Sequence, residues 1–481
     1  MFSRLLEFIR QVIAKMFPKA DMANALNIEI PVSDAMSDAI DLWQSIYMDE
    51  APWVDGEKVK SLNLGAAIAS EIARLTTIEM ATEITSNTSA SGPGKKYADL
   101  NKDYQKVIDR LKNQVEYAAA KGGMILKPYM DEGRITVDFA QADQFYPTRY
   151  STNGEIRGCI FTEVKNTEEM TYTRLEHHDL VKGVYTITNK AYVAKKGDEK
   201  LGTEVSLTDV AEWADLAESA IFRGLERPLF AYFKMPLANS IDTTSHLGVS
   251  IYCGAVDLLE QADKQYSRAL WEYEGGEMAI DATLDLFKAD GTMPEGKDRL
   301  FRQLDADSKD EPFYKVFNPT LRDENLWYGL NKILQRIEFS CGLAYGTLSD
   351  MQVVSKTAEE IKSSKQRSYA TVADVQKNLQ TALEELVWAM QAWRKIGELL
   401  AGDNKQAKEI VVDEGYAISF DWDDSLIVDE KMEQAILMQE VSAGIVSGDW
   451  YLKKRYGATE EQIKEMKASL IPEEDEDDGQ E

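Results

Sequence analysis

The chain has 481 residues, of which 44% are hydrophobic, and a net charge of −29 from 83 acidic and 54 basic side chains. This composition excludes a disordered chain, and so acidic a surface argues against simple binding to nucleic acid. Three widely separated cysteines without a CxxC pair argue against a zinc site or a disulfide framework and suit a reducing cytosol: Cys159, Cys253 and Cys341.

The chain up to about residue 125 is predicted to be mostly helical. Its first stretch, MFSRLLEFIRQVIAKMF, has one apolar helical stripe, but Arg4, Arg10 and Lys15 interrupt it and exclude a spanning helix. A helix docked on its own protein is favoured there over an interfacial membrane helix. Ser33 is the predicted N-cap of the next helix, and a further helix is predicted over residues 64–84.

Between about residues 125 and 206 the apolar period changes to two. The segments RITVDF, GCIFTEV, MTYTRLE, GVYTITN and KAYVAKK are typical of strands, with turn residues between them. They predict an antiparallel β region. His177 and His178 are adjacent on one of these strands and point to opposite faces, so they cannot share a metal ion.

Helices return in the second half of the chain. They are predicted from Leu247 to about 275 and from about 323 to 345, each with one apolar face, and a small insert separates them. A short polar stretch follows, and then a helix from Thr357 to about Leu400 whose buried side includes Trp388 and Trp393. Strand-like residues and short helices complete the chain, which ends in the acidic PEEDEDDGQE.

This order of elements resembles the portal proteins of tailed bacteriophages, the head–tail connectors, in the branch found in phages and prophages of Gram-positive bacteria. Four stretches carry the resemblance: YTRLEHHDLVKGVYTITNKAYV, PLFAYFKMPLANSIDTTSHLGVSIYCGAVDLLEQAD, SKTAEEIKSS and GIVSGDWYLKKRYGATEEQIKEM. The resemblance implies an α+β subunit with a mixed α/β wing, a two-helix stem, a small α/β clip, a long wing helix and a helical crown. The implied divisions are 1–246 (N-terminal helices and wing), 247–275 (stem helix), 276–321 (clip), 322–345 (stem helix), 346–356 (tunnel loop), 357–400 (long wing helix), 401–428 (wing strands), 429–472 (crown) and 473–481 (acidic tail).

The resemblance also implies a function and a set of partners. Copies of the chain, usually about twelve, would form a ring at one capsid vertex of the virion, assembled in the host cytoplasm. Double-stranded DNA would pass through this ring during genome packaging and ejection. The terminase large subunit, a head-completion or adaptor protein, and the major capsid and scaffolding proteins would bind it. No catalysis, cofactor, metal ion or membrane is expected.

The polar stretch would then be the tunnel loop at the narrowest point of the channel. Thr357 and Glu360 form a predicted capping box that anchors the loop on the following helix. Lys356, Lys362 and Lys365 are candidate DNA contacts, limited in number, while the acidic wall lets the duplex slide. The loop residues are Gly346, Thr347, Leu348, Ser349, Asp350, Met351, Gln352, Val353, Val354 and Ser355.

Two alternatives stay open at this point. One is a tail or baseplate ring, although a polar loop between two long helices has no task in a solid hub. The other is a metal-dependent enzyme built on the β region, with His177, Asp179 and nearby carboxylates at its site.

Overall fold

A computed structural model shows an α+β protein made of two compact units, Met1–Asp421 and Trp422–Glu481. The structure describes the following residues: 19–86, 94–131, 133–198, 200–276, 279–282, 301–303, 314–317, 320–350, 358–401, 409–422, 437–456 and 463–464. The predicted N-terminal helix over the first 17 residues lies outside this part of the chain.

Among the described residues, the N-terminal part contains the helices α1 (Lys19–Leu26), α2 (Asp34–Tyr47) and α3 (Leu64–Thr77), and after one strand the helix α4 (Gly94–Lys121). The predicted cap of α2 is confirmed, because the Ser33 Oγ accepts from the Met36 amide at 3.3 Å. Met36, Ile40 and Trp43 follow at helical spacing and are buried, so the apolar stripe of α2 faces the core.

The helix predicted over residues 64–84 is wrong in its last third. Helix α3 ends at Thr77, and strand β1 (Met80–Ser86) follows and pairs with the distant Tyr416–Trp422. Thr82 and Ile84 alternate inward on this strand, with Thr82 bonded to the Tyr104 hydroxyl at 2.9 Å. Pairing with a strand more than 300 residues away overrides the local helical pattern.

The β region is antiparallel, as predicted. Strands β4, β5, β6, β7 and β8 run side by side in that order, with β9 also paired to β7, and β10, β2 and β3 form a second sheet. Their bounds are β2 Gly123–Asp131, β3 Arg134–Gln141, β4 Phe145–Tyr150, β5 Ile156–Asn166, β6 Met170–Val181, β7 Val184–Lys195, β8 Thr203–Val205, β9 Ser219–Arg223 and β10 Ala231–Lys234.

One predicted turn in this region is wrong. GVYTITN and KAYVAKK belong to the single strand β7, which pairs with β6 without interruption. Asn189, at the predicted turn, stays in the strand, where its side chain donates to the Ala217 carbonyl and accepts from Arg174. These two tertiary partners satisfy an Asn that would otherwise favour a turn.

The second half of the first unit is built on three helices, α5 (Val256–Gly275), α6 (Asp323–Ser340) and α7 (Ala358–Ala401). The insert between α5 and α6 contains a three-stranded sheet in which the middle strand pairs parallel with one neighbour and antiparallel with the other. Its strands are β11 (Ala279–Ala282), β12 (Phe301–Gln303) and β13 (Tyr314–Phe317). Strand β14 (Tyr416–Trp422) follows α7.

The predicted start of α5 at Leu247 is wrong by nine residues. The buried segment 247–252 is irregular, and its backbone bonds to distant groups: the Gly248 amide to the Tyr232 hydroxyl at 3.0 Å, and the Ile251 amide to the Ala119 carbonyl at 2.9 Å. Gly248 also lies so close to Gly122 that a Cβ would clash with the Gly122 carbonyl. These contacts replace helical hydrogen bonds, so the apolar spacing alone misplaced the start.

The prediction that Trp388 and Trp393 pack in the core is confirmed. Trp388 is 4% exposed in a cluster that joins α7 to β7 through Tyr185 and Ile187, and the Trp393 ring meets the Phe222 ring edge-on. In the second unit, the described residues include helix α8 (Gly448–Tyr456).

Among the described residues, no helix is both long and apolar enough to cross a membrane.

Candidate functional site

Helices α5 and α6 pack along each other and present the loop that follows α6. The Gln265 side chain donates to the Leu326 carbonyl at 3.1 Å, and the Trp327 indole donates to the Tyr273 hydroxyl at 2.8 Å. At the insert end, Arg322 forms a two-nitrogen ion pair with Glu272. These contacts make the pair a firm support for the loop.

Helix α6 ends five residues earlier than predicted, in a Schellman motif. The Leu343 amide donates to the Glu338 carbonyl at 2.8 Å, and the Gly342 amide donates to the Phe339 carbonyl at 3.4 Å. Gly342 has a φ of 70°, the left-handed conformation that this motif needs. The motif turns the chain back, so that residues 344–350 return along the end of α6.

Glu338 anchors the returning loop from inside the protein. Its side chain is fully buried, and its Oε1 accepts from the amides of Gly346, Leu348 and Ser349 at 3.1, 2.7 and 2.8 Å. Its Oε2 accepts from the Ser349 hydroxyl at 2.8 Å. Four donors on one buried carboxylate replace the water that the charge has lost and fix the loop backbone.

Asn331, two turns earlier on α6, makes a second anchor. Its Nδ2 donates to the Asp350 carbonyl at 3.0 Å, and its Oδ1 accepts from the Asp350 amide at 2.8 Å. This two-bond pairing holds Asp350 as a neighbouring strand would, while the Asp350 side chain stays exposed. Residues 346–350 are therefore fixed against α6 by hydrogen bonds.

Helix α7 contacts the same region through Arg367. The guanidinium carbon lies 4.2 Å from the centre of the Phe339 ring and 5.9 Å from that of Tyr345. Contacts of this kind stabilise by about 0.5–2 kcal/mol. Arg367 thereby links the end of α6, the returning loop and the start of α7.

The structure describes only part of the predicted site. The first five loop residues are held as above, and Lys365 is exposed on α7. Met351, Gln352, Val353, Val354, Ser355, Lys356 and Thr357 lie outside the described residues, as do the side chains of Glu360 and Lys362. The capping box and the DNA contacts of Lys356, Lys362 and Lys365 therefore stay predictions.

Glu338, Asn331 and Arg367 were missed by the sequence analysis. A signal for the first two was present, because they are seven residues apart on the face of α6 that also carries Leu334 and Ile337. A carboxylate and an amide on a buried helical stripe need partners, and the nearest polar backbone is the loop. Arg367 gave no such signal, since its partners are aromatic rings.

The β region places the two histidines on opposite faces, as predicted. His177 Nε2 lies 3.1 Å from the Thr148 hydroxyl, and Asp179 accepts from Arg149 at 2.8 Å. His178 is buried, with its ring nitrogens 2.6 Å from Glu176 and 2.7 Å from the Tyr185 hydroxyl. Each of these side chains is thus held by structural partners.

Glu176 is the charged centre of this buried network. Burial alone would raise its pKa, but Lys127 at 2.8 Å, together with His178 and Arg174, holds the pKa of Glu176 well below its usual range. Within the described part of the chain, no three His, Cys, Asp or Glu side chains are arranged to hold a metal ion.

Comparison with known proteins supplies the family. No curated protein matches the chain. Among solved structures it is similar to a chain of the neck of an empty GTA particle computed with C6 symmetry, with 12% sequence identity and a TM-score of 0.39, over 88% of this chain and 94% of that chain. The family described as phage portal protein, SPP1 Gp6-like, matches residues 62–476. That match spans most of the chain, which therefore belongs to the SPP1 Gp6-like family of phage portal proteins.

Proposed function

We propose that the chain is one subunit of a portal ring, usually of about twelve copies, at a single capsid vertex of the virion. Double-stranded DNA enters through the ring during packaging and leaves through it at ejection. The observation that carries this proposal is the family match over residues 62–476. It favours a portal over the tail or baseplate ring and over the metal enzyme.

The division of labour within the subunit follows from the same proposal. Helices α5 and α6 form the stem, the insert with β11, β12 and β13 is the clip, and the β region with α7 is the wing. The clip is the docking site of the terminase large subunit and later of a head-completion or adaptor protein. Residues 429–472 form the crown, and the major capsid and scaffolding proteins surround the ring during assembly.

The loop after α6 is the proposed tunnel loop, and the anchors at Glu338 and Asn331 support this role. A loop that lines a DNA channel must resist a moving duplex, and buried carboxylate and amide contacts fix residues 346–350 on the stem. Residues 346–356 together are the proposed tunnel loop.

Negative-stain electron microscopy, combined with the mass in solution, tests the ring. Annular particles with a central hole and a mass of about twelve chains are expected. A monodisperse monomer at several salt concentrations would contradict the proposal, because stem and tunnel exist only in the assembled ring.

Lys356 provides a test at the constriction. Since a lysine near a phosphate adds attraction that salt screens, we expect Lys356→Ala particles to retain packaged DNA less well than wild type. DNA content per particle, measured after packaging and again after storage, gives the result. Unchanged packaging and retention would remove Lys356 from the DNA path, and Lys102→Ala, on an exposed face of α4, is the matched control.

A further inference from the structure

A basic cleft lies between the loop before α3 and the outer side of α5. It has a volume of about 480 Å³, and its lining contains four cationic side chains, two carboxylates and one indole. These are Lys58, Lys60, Lys264 and Arg268, then Glu57 and Glu274, and Trp271. The feature is unusual in a chain with 83 acidic and 54 basic side chains.

The loop that forms one wall of the cleft is held firmly. The Asp55 carboxylate accepts from the amides of Lys58 and Val59 at 2.7 and 2.8 Å, which closes a tight turn. Asp263, on α5 and 5% exposed, accepts from the Trp53 indole and from the Leu62 amide, both at 2.8 Å. Both ends of the loop are thereby fixed to α5, and binding in the cleft costs little ordering entropy.

The cations of the cleft are only partly neutralised. Lys60 lies 3.7 Å from Glu274, and Lys264 pairs with Glu260. Lys58 and Arg268 are exposed and form no ion pair with any described residue. The cleft therefore retains positive charge that a carboxylate-bearing surface would complement.

Trp271 supplies an apolar surface beside these charges. Its side chain is 66% exposed, more than that of any other described tryptophan. Large aromatic side chains next to arginine are typical anchors of protein interfaces. A duplex offers phosphates to the cations but no unstacked base to the indole, so the pair of features favours a protein surface over double-stranded DNA.

We infer that this cleft receives an acidic surface of the adjacent copy in the ring, with Trp271 buried in the contact. The inference rests on the proposed ring. A ring closes through heterologous contacts, in which one side of each copy meets a different side of the next. The next copy has the same net charge of −29, with 83 acidic side chains, so it can offer an acidic surface that complements the cleft.

The first experiment reverses charge in the full-length protein. Lys58→Glu/Arg268→Glu is compared with Lys102→Glu/Lys112→Glu, whose lysines are exposed on α4. Both doubles change the net charge by the same amount, so general repulsion between copies is matched. We expect the cleft double to raise the concentration at which half of the chains are in rings about tenfold, and the control double to raise it less than twofold.

Equal ring formation by the two doubles, with wild-type rings present, would overturn the cleft inference and leave the portal proposal intact. Absence of rings in the wild-type protein would overturn the proposed function itself, and this inference with it. All four sites are exposed, and an unchanged melting temperature verifies that each variant is folded.

A second experiment identifies the occupant. A photo-reactive benzoylphenylalanine replaces Trp271, and rings are irradiated alone or with a fluorescent 30-base-pair duplex. We expect chain-to-chain crosslinks whose partner peptide is rich in Asp and Glu. Crosslinks to the duplex, or none between chains in intact rings, would overturn the inference.

Discussion

At the scale of the single residue, Glu338 shows how a buried charge can hold a loop. Its carboxylate has no solvent contact and receives three amides and one hydroxyl. The alanine variant would leave these donors without their acceptor, among them the amide and hydroxyl of the buried Ser349. We expect Glu338→Ala to lower the free energy of unfolding by about 3 kcal/mol, and Glu338→Gln, which keeps the size but loses the charge, by about 1–2 kcal/mol.

Urea denaturation and amide hydrogen exchange check this expectation. The amides of Gly346, Leu348 and Ser349 should exchange faster in both variants, because Glu338→Ala removes their acceptor and Glu338→Gln replaces the carboxylate with a weaker, neutral acceptor. Arg336→Ala serves as the control, since Arg336 is exposed on the same helix and should change stability by about 0.5 kcal/mol at most. Unchanged exchange at the three amides in Glu338→Ala would contradict the anchor.

His178 predicts how stability depends on pH. Burial lowers its pKa below the ordinary 6.5, against the opposing hydrogen bond to Glu176, so the folded state binds a proton less readily than the unfolded state. The free energy of unfolding should therefore fall as the pH drops below about 6.5. Glu176, with a pKa well below 4.5, adds a further loss when the pH drops below about 4.5.

Urea midpoints measured between pH 8 and pH 5 test the histidine contribution. His178→Gln removes one proton-binding group, so the decline of the midpoint between these values should become shallower than in wild type. It should not vanish, because burial also lowers the pKa of His177. Parallel curves for the two proteins would show that His178 does not titrate differently on unfolding.

At the scale of the element, sequence periodicity found the antiparallel strands and the helices α5, α6 and α7, because each buries one face along its own length. Sequence periodicity failed where hydrogen bonds to residues distant in sequence determine the backbone conformation. Ile84 lies in a strand because Tyr416–Trp422 pairs with it, and Ile251 lies outside α5 because Ala119 accepts from its amide. Neither partner is visible in a local window of sequence.

The end of α6 gives a prediction at this scale. Gly342 has a φ of 70°, and a Cβ there would clash with the Thr371 hydroxyl on α7. We expect Gly342→Ala to lower the free energy of unfolding by about 2 kcal/mol, from backbone strain and from separation of α6 and α7. Thermal unfolding measures it, and Gly254→Ala, where no atom lies within 4 Å of the added Cβ, should have little effect. Equal losses in the two variants would argue against the strain.

At the scale of the whole molecule, the net negative charge opposes the assembly of subunits into a ring. A ring of about twelve copies would have a formal charge of 12 × (−29) = −348 before counterions. A channel wall with this negative charge repels a DNA duplex and lets it slide. The same charge also makes neighbouring subunits repel each other. Local positive patches are one way to offset this repulsion, and the cleft at Lys58 and Arg268 has that character. The repulsion between subunits can be predicted from the composition alone. The positive patch cannot, because it depends on a turn that brings Lys58 beside α5.

Salt separates the electrostatic and apolar parts of this contact. The screening length falls from about 10 Å at 0.1 M salt to about 3 Å at 1 M. Rings of Lys58→Glu/Arg268→Glu should therefore be scarce at 0.1 M and recover about tenfold at 1 M, because the introduced repulsion is screened. Trp271→Ala should lose rings at both concentrations, since salt does not replace a lost apolar contact. Ring fraction by analytical ultracentrifugation gives both results. Recovery of the tryptophan variant, or persistent loss in the charge variant at 1 M, would contradict the assignment of charge and apolar roles within the cleft.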